Sequence, residues 1–390
     1  MISAISRPYI AASVPVLRAH GVAITTTFYR HLFAAHPELT DLFNMGNQAN
    51  GAQQQSLAAA VFAYAANIDD PGALAPVINR IVHKHVSLGI RPEHYPIVGK
   101  YLLGAIRDIL GDAASDGLMA AWEEAYGALA RLFIDAEHAL YRRSGSAPGS
   151  LQPMRVLAIE RQSEDILSIT LAPADGGAAP GFMPGQYVSC AVTFADGRRQ
   201  LRQYSLSDAP KPDHIRISVK REAAHADKPD GAVSNWLHRH LTLGSMLDVS
   251  HPFGDFTPDT ESARPIVLLS AGVGITPMIA VLNRIAVARP RRQVIFAHAA
   301  RSPAHHAHQA DVAAALAVMP ELRVLNFYAS DRLRPAMAAT LLPAWPHAST
   351  EVYLCGPPPF MRAQHEALLA LGVPPERLHR EVFGPDALEW

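Results

Sequence analysis

Residues 266–288 read IVLLSAGVGITPMIAVLNRIAVA. A short apolar run, Ile266–Ser270, gives way to Ala271-Gly272-Val273-Gly274-Ile275-Thr276-Pro277 and then to helical spacing over Met278–Ala286. That order predicts a buried strand, a tight turn and a helix. The apolar stretch from Pro265 to Leu282 approaches membrane-spanning length, but Gly272, Gly274, Thr276 and Pro277 interrupt it. A G-x-G between strand and helix brings backbone N–H groups close to a phosphate. The third glycine of the dinucleotide fingerprint is replaced by Pro277, which a first helical turn tolerates. Further on, Val294–His298 and Val352–Cys355 are buried-type strands separated by helical segments. Residues 261–390 therefore read as an α/β domain on a parallel sheet with both faces covered.

Upstream the pattern changes twice. Residues 153–260 carry candidate strands at Arg155–Glu160, Ile166–Leu171, Tyr187–Phe194, Leu201–Leu206 and Ile215–Lys220, an antiparallel β domain. Asp196-Gly197 between two of them predicts a type I′ hairpin, whose central residues need positive φ. Residues 144–152, rich in small and polar residues, read as a linker. Residues 1–143 are helical in pattern, with apolar residues at helical spacing such as Phe28, Leu32 and Phe33, or Ile78, Ile81 and Val82.

Composition limits the class. The 390 residues exceed one core and suggest two or three domains. Hydrophobic residues make up 49% and charged residues 18%, which excludes intrinsic disorder. A net charge of −1 gives no field for nucleic acid or an anionic membrane, so neither partner is expected. Cys190 and Cys355 are the only cysteines, too few for a disulfide framework or a zinc cluster. With no signal-peptide pattern between Met1 and His20, a reducing cytoplasm is the expected location.

The histidines at 83 and 85 are about 200° apart on a helix, so they face different ways. His85 continues the apolar stripe of Ile78, Ile81 and Val82, while His83 points away. A lone histidine on such a stripe is ordinarily a hydrogen-bonded core residue. Here it has company in Tyr95, Glu137, Phe28-Tyr29, Phe43 and Gln53.

Together with Thr27-Phe28-Tyr29, Pro37-Glu38-Leu39, Leu42-Phe43-Asn44-Met45, Asn47-Gln48, Asn50-Gly51, Gln53, Lys84-His85 and Ala125-Tyr126-Gly127, these residues resemble the globin domain of bacterial flavohaemoglobins. The resemblance runs on to Phe383. It implies a globin fold, a ferredoxin-reductase-like β-barrel for FAD and an α/β NAD(P) domain. It also implies haem b with His85 as proximal iron ligand. Tyr95 and Glu137 stand where the family places partners for the second N–H of the ligand, which fix its tautomer and raise its basicity. Tyr29 and Gln53 would donate to dioxygen, and Leu57 would narrow access to the iron. Lys84 would meet a haem propionate or the flavin domain. Phe43 is a core aromatic and a cofactor contact.

Arg202-Gln203-Tyr204-Ser205 matches the R-x-Y-S motif of the reductase-like flavoproteins, with Tyr187, Val233 and Ser234 in flanking motifs. The resemblance gives Arg202 the FAD pyrophosphate, Tyr204 the flavin face and Ser205 a bond near its reactive nitrogen. Ser234 would begin a helix whose N-terminus favours phosphate, or simply cap it. The Ala223–Asp230 loop looks lengthened, either to cover the adenine end of FAD or as a mobile segment. Gly272, Val273, Gly274, Ile275, Thr276 and Pro277, with Cys355 and Gly356, match the two NAD(P) signatures; Cys355 would lie near the nicotinamide. In Glu381-Val382-Phe383-Gly384-Pro385, Phe383 would stack on the flavin and Glu381 would tune the redox centres.

The implied activity is nitric oxide dioxygenase: nitric oxide and dioxygen become nitrate, with electrons from NADH or NADPH passing through FAD to haem. One rival is a reductase acting on peroxides, ferric complexes or quinones. Another is a non-enzymatic haem-based gas sensor or lipid-binding protein, with lipid in the distal pocket. Arg301 and Ser302, after the second strand of the α/β domain, are candidates to receive a 2′-phosphate.

Overall fold

The computed structural model describes residues 2–43, 45–224, 229–329 and 342–384. Pro385 and residues 225–228 of the lengthened loop lie outside the described residues.

The helical part comprises α1 (Ser6–Ala35), α2 (Met45–Ala49), α3 (Ala52–Ala66), α4 (Ala75–Leu88), α5 (His94–Leu110) and α6 (Asp116–Ser144). Ile10, Leu17, Ile24, Phe28 and Leu32 form one buried stripe on α1. They pack on Leu102, Ala105 and Ile106 of α5 and on Met119, Trp122 and Ala125 of α6. This repeated seven- and four-residue spacing, one face of a helix, is what makes α1 a core helix. Ser115 caps α6, its Oγ accepting from the Leu118 N–H.

The next part holds β1 (Gln152–Arg161), β2 (Ile166–Pro173), β3 (Tyr187–Thr193), β4 (Arg199–Ser205), β5 (Ile215–Lys220), α7 (Ala232–His240) and β6 (Met246–Val249). All the paired strands are antiparallel, in the order β4-β3-β6-β1-β2-β5. A bridge between Leu206 and Ile217 brings the two ends of the sheet together, so it curls into a barrel. Met154, Ile169, Leu171, Val188, Ile217 and Val249 fill it, with Leu237 of α7.

The hairpin between β3 and β4 differs from the expected type I′ form. The Gly197 N–H donates to the Phe194 carbonyl at 2.9 Å. Gly197 alone takes positive φ, at 85°. This is the longer hairpin loop, a turn closed by a left-handed glycine. Asp196 is not in the left-handed region, and its carboxylate accepts from the Arg198 N–H and Nε, at 3.1 and 2.6 Å.

The last part contains β7 (Ile266–Ala271), α8 (Ile275–Ala288), β8 (Val294–Ala300), α9 (Gln309–Val318), β9 (Leu322–Tyr328), β10 (Glu351–Cys355), α10 (Pro358–Ala370) and β11 (Leu378–Glu381). The sheet is parallel, in the order β11-β10-β7-β8-β9. The strand order reverses between β7 and β10, and that crevice is where open α/β sheets bind ligands. The turns after β7 and β10 meet there. A Cβ on Gly274 would collide with the Cys355 carbonyl. The second glycine of the turn is thus required by close approach.

Candidate active site

One cavity of about 1080 Å³ runs through all three parts. Its helical end is walled by Phe28, Leu57, Val61, Leu102, Ile106 and Phe133, an apolar slot suited to a flat macrocycle. His85 faces this slot from α4. Its Nδ1 donates to Glu137 Oε1 at 2.8 Å and lies 3.1 Å from the Tyr95 hydroxyl. Tyr95 in turn donates to the same Glu137 oxygen at 2.5 Å. Glu137 is 2% exposed. A buried carboxylate facing an imidazole fixes the tautomer with the proton on Nδ1, leaving the Nε2 lone pair free to bind a metal ion. Burial and then the neighbouring Glu137 charge push the Tyr95 hydroxyl far above its ordinary pKa, so it stays a donor.

Tyr29, Gln53 and Phe43 also line this end of the cavity, with Leu57. Tyr29 is 5% exposed. Phe43 meets its ring edge-on at 5.7 Å, and Phe33 stacks at 5.6 Å. Burial pushes the Tyr29 hydroxyl up to about 12, against the pull of the Gln53 and Gln48 side chains beside it. Tyr29 therefore remains protonated. The proximity of Gln48 to Tyr29 is a feature of the fold, since Gln48 sits on α2 and Gln53 on the next helix, α3.

The cavity continues past Arg80, Lys84 and Asp255 into the barrel. There Arg202, Gln203, Tyr204 and Ser205 line it from β4, with Tyr187 from β3. The Arg202 guanidinium donates to the Leu201 carbonyl and to Gln200 Oε1, at 2.6 and 2.9 Å, which aims it along the cleft. Gln203 Nε2 donates to Ser189 at 3.3 Å. Burial raises the pKa of both Tyr187 and Tyr204. Val233 and Ser234 line the cleft from the start of α7. Ser234 does not begin that helix, however. Gly231 is the N-cap, without a side-chain cap. The Ser234 hydroxyl donates to the Gly231 carbonyl at 3.1 Å and accepts from the Glu222 N–H at 3.2 Å. An uncapped N-terminus beside Arg202 fits a pyrophosphate.

At the α/β end, Val273 and Thr276 line the cavity, with Thr276 Oγ1 donating to the Val273 carbonyl at 2.9 Å. The other residues of the two NAD(P) signatures lie behind the cavity lining, in and around the turns after β7 and β10. Ile275 and Pro277 are buried in α8, and Gly272, with φ 54°, and Gly274 shape the turn. Gly356 is packed against Ala271 and Phe360. Cys355, expected beside the nicotinamide, is fully buried in the apolar core, where burial pushes its thiol well above the usual range.

Glu381, Val382, Phe383 and Gly384 close the cavity from the C-terminal side. Phe383 is 45% exposed, an aromatic face turned to the cavity mouth. Burial, then the charge of Asp255, push Glu381 up to about 8, with Arg80 and Lys84 opposing. Lys84 donates to the Gly384 carbonyl at 3.1 Å, so it ties the helical part to the C-terminal segment. His83 is equally engaged: its Nδ1 accepts from the Gly254 N–H at 2.9 Å. Spacing alone turned His83 away from the slot but did not reveal this contact. Arg80 and Asp255 carried no sequence signal, because both belong to the site only through the docking of the helical part on the barrel.

A Globin family model matches residues 26–132, and an Oxidoreductase NAD-binding domain model matches residues 268–366. The flavohemoprotein of Chromobacterium violaceum is 49% identical over 98% of this chain and 98% of its own length. The chain belongs to the flavohaemoproteins. The flavohemoprotein of Bordetella parapertussis is 48% identical over 98% of this chain and 99% of its own. Among solved structures, the flavohemoglobin of Malassezia yamatoensis with bound FAD and heme has a TM-score of 0.87 at 29% identity, covering 98% of this chain and 100% of that one. The FAD/NAD-binding domain of nitric oxide dioxygenase from Vibrio cholerae has a TM-score of 0.56 at 38% identity, over 60% of this chain and 99% of that one. This flavohaemoprotein is thus an NAD(P)H-dependent oxidoreductase. Among its described residues no helix is long and apolar enough to cross a membrane.

Proposed function

We propose that this flavohaemoprotein is a cytoplasmic nitric oxide dioxygenase, forming nitrate from nitric oxide and dioxygen. The observation that carries this reading is the continuous cavity from the Tyr29–Gln53 wall, past His85, to Tyr204 and Phe383. When bound, haem and FAD supply the redox chemistry, bringing electrons from NAD(P)H to dioxygen and nitric oxide. His85 would hold iron through Nε2, and the Glu137 carboxylate at 2.8 Å keeps the imidazole electron-rich. Tyr29, buried and protonated, donates a hydrogen bond to the diatomic substrate, with Gln53 beside it. Leu57 and Phe43 present apolar side chains to the cavity beside Tyr29. Arg202 and the start of α7 would hold the FAD phosphates, Tyr204 and Ser205 would hold its flavin end, and Phe383 would cover the flavin where nicotinamide enters. Lys84 and His83 keep the helical part docked at short range.

A simple reductase for peroxides or ferric complexes has no need of a buried, protonated tyrosine in the cavity that His85 also lines. The test is to reduce the holoenzyme with NADH without oxygen, then add oxygenated nitric oxide. Rapid haem reduction and one nitrate per nitric oxide consumed are expected; haem reduction without nitrate would leave only the reductase.

A further inference from the structure

The outward face of β5 carries a chain of hydrogen bonds with no part in the roles above. Ile215, Ile217 and Val219 fill the barrel core, so Arg216, Ser218 and Lys220 face the α/β part and the cavity. Ser218 Oγ lies 2.9 Å from Nε2 of His308. Nδ1 of His308 lies 2.8 Å from Asp311 Oδ2, and Ser207 Oγ lies 2.8 Å from Ser218 Oγ. Arg216 and Asn283 donate to the other Asp311 oxygen, at 2.9 and 3.0 Å. His308 is 0% and Ser218 2% exposed.

The chemistry of the groups sets the directions, with the Ser207 hydroxyl also 3.4 Å from the Arg216 carbonyl. Burial pushes Asp311 up, but His308 and Arg216 outweigh it and hold the carboxyl well below its usual range, so it only accepts. His308 Nδ1 must therefore carry the proton. Burial lowers the pKa of His308, so the ring is neutral and Nε2 is an acceptor. Ser218 gives its only proton to Nε2, and Ser207 donates to Ser218. One lone pair is left on Ser218 Oγ. His308 reaches this position from a left-handed backbone, φ 60° and ψ 24°, which side-chain-bearing residues rarely adopt. Strain of this kind persists where the surroundings over-determine it.

We infer that Asp311, His308 and Ser218 form a relay across the two reductase parts that makes Ser218 Oγ an obligate hydrogen-bond acceptor on the cofactor cavity, open to a donor on the bound cofactors. His308 is the positioning residue. The donor is the carboxamide of the nicotinamide or a ring N–H of the flavin, and the acceptor rejects analogues lacking it. The inference deepens the reductase half of the proposed function and is independent of nitric oxide.

The test is anaerobic reduction of the holoenzyme by NADH, with the flavin midpoint potential measured alongside. If the partner is the nicotinamide carboxamide, Ser218→Ala weakens NADH binding by about three- to tenfold, the value of one hydrogen bond. The potential then stays put. The loss disappears with reduced 3-acetylpyridine adenine dinucleotide, which has no amide N–H. If the partner is the flavin, Ser218→Ala shifts the potential and leaves NADH binding alone. His308→Leu frees the Ser218 proton and should reproduce the same change, while His308→Gln, which keeps an acceptor, should restore most of it. The inference is overturned if Ser218→Ala changes neither quantity, or if NADH and the acetylpyridine analogue weaken alike at constant potential.

Discussion

At the scale of single residues, the proximal side rests on one proton. The Glu137 carboxylate can only accept, so the His85 proton sits on Nδ1 and Nε2 is free by elimination. His85→Ala should abolish ordered haem binding while the FAD absorbance of the same protein is retained, since Arg202 and Tyr204 lie on another part of the chain. A five-coordinate, histidine-ligated haem spectrum in that variant would refute the assignment. In the same cavity, Tyr29→Phe removes the hydroxyl and keeps the ring contacts with Phe33 and Phe43. Loss of a hydrogen bond to a charged partner costs about 1.5–3 kcal/mol, so dioxygen should leave at least about tenfold faster. Flash photolysis reads this directly, and an unaltered off-rate would show that another group holds the ligand. The His85 stripe was legible in the sequence because its helical period is local. The approach of Gln48 to Tyr29 was not, because it depends on how α2 and α3 pack.

Among the elements, α4 shows how three successive residues serve three purposes. Steps of about 100° send His83 to the barrel, Lys84 to the C-terminal segment and His85 to the slot. Burial lowers the pKa of His83, keeping it neutral, as an acceptor for the Gly254 N–H must be. His83→Ala should leave NADH reduction of FAD unchanged and slow electron transfer onward to haem; stopped-flow traces of the two chromophores separate the steps. Equal rates in both steps would make this contact incidental. Strands were legible where they are buried apolar runs, as in β7, β8 and β10. β6, β9 and β11 went unread because their residues alternate or are only half-buried, so no apolar run marks them. The Asp196-Gly197 pair correctly marked a turn but not its type, since Gly197 alone takes positive φ.

For the molecule as a whole, function lies at the seams between its parts, and seams are what one sequence reveals least. Glu381 gathers Asp255 from the barrel and Arg80 and Lys84 from α4. An acid raised from its ordinary value to about 8 binds its proton more tightly when folded. Its contribution to stability is present below the unfolded value and declines as pH rises through about 8. Glu381→Gln should flatten that part of the pH dependence of thermal stability; an identical slope would mean that Glu381 is already ionised at neutral pH. Arg301 shows the same limit of sequence reading. The loop after β8 made it a candidate reader of a 2′-phosphate, yet its Nη2 donates to Asp165 of the barrel at 2.8 Å. The Arg301 side chain is 68% exposed against 15% for Asp165, so the carboxylate is the desolvated partner. Arg301→Glu would set two carboxylates against each other across the seam between barrel and α/β part. Exposed pairs contribute at most about 1 kcal/mol, so the effect should be only a fewfold. It should fall equally on kcat/KM for NADH and NADPH, because it acts through the docking of the two parts. The charge swap Asp165→Arg with Arg301→Glu should then restore both. A selective loss of NADPH turnover that the swap does not repair would return Arg301 to the 2′ position.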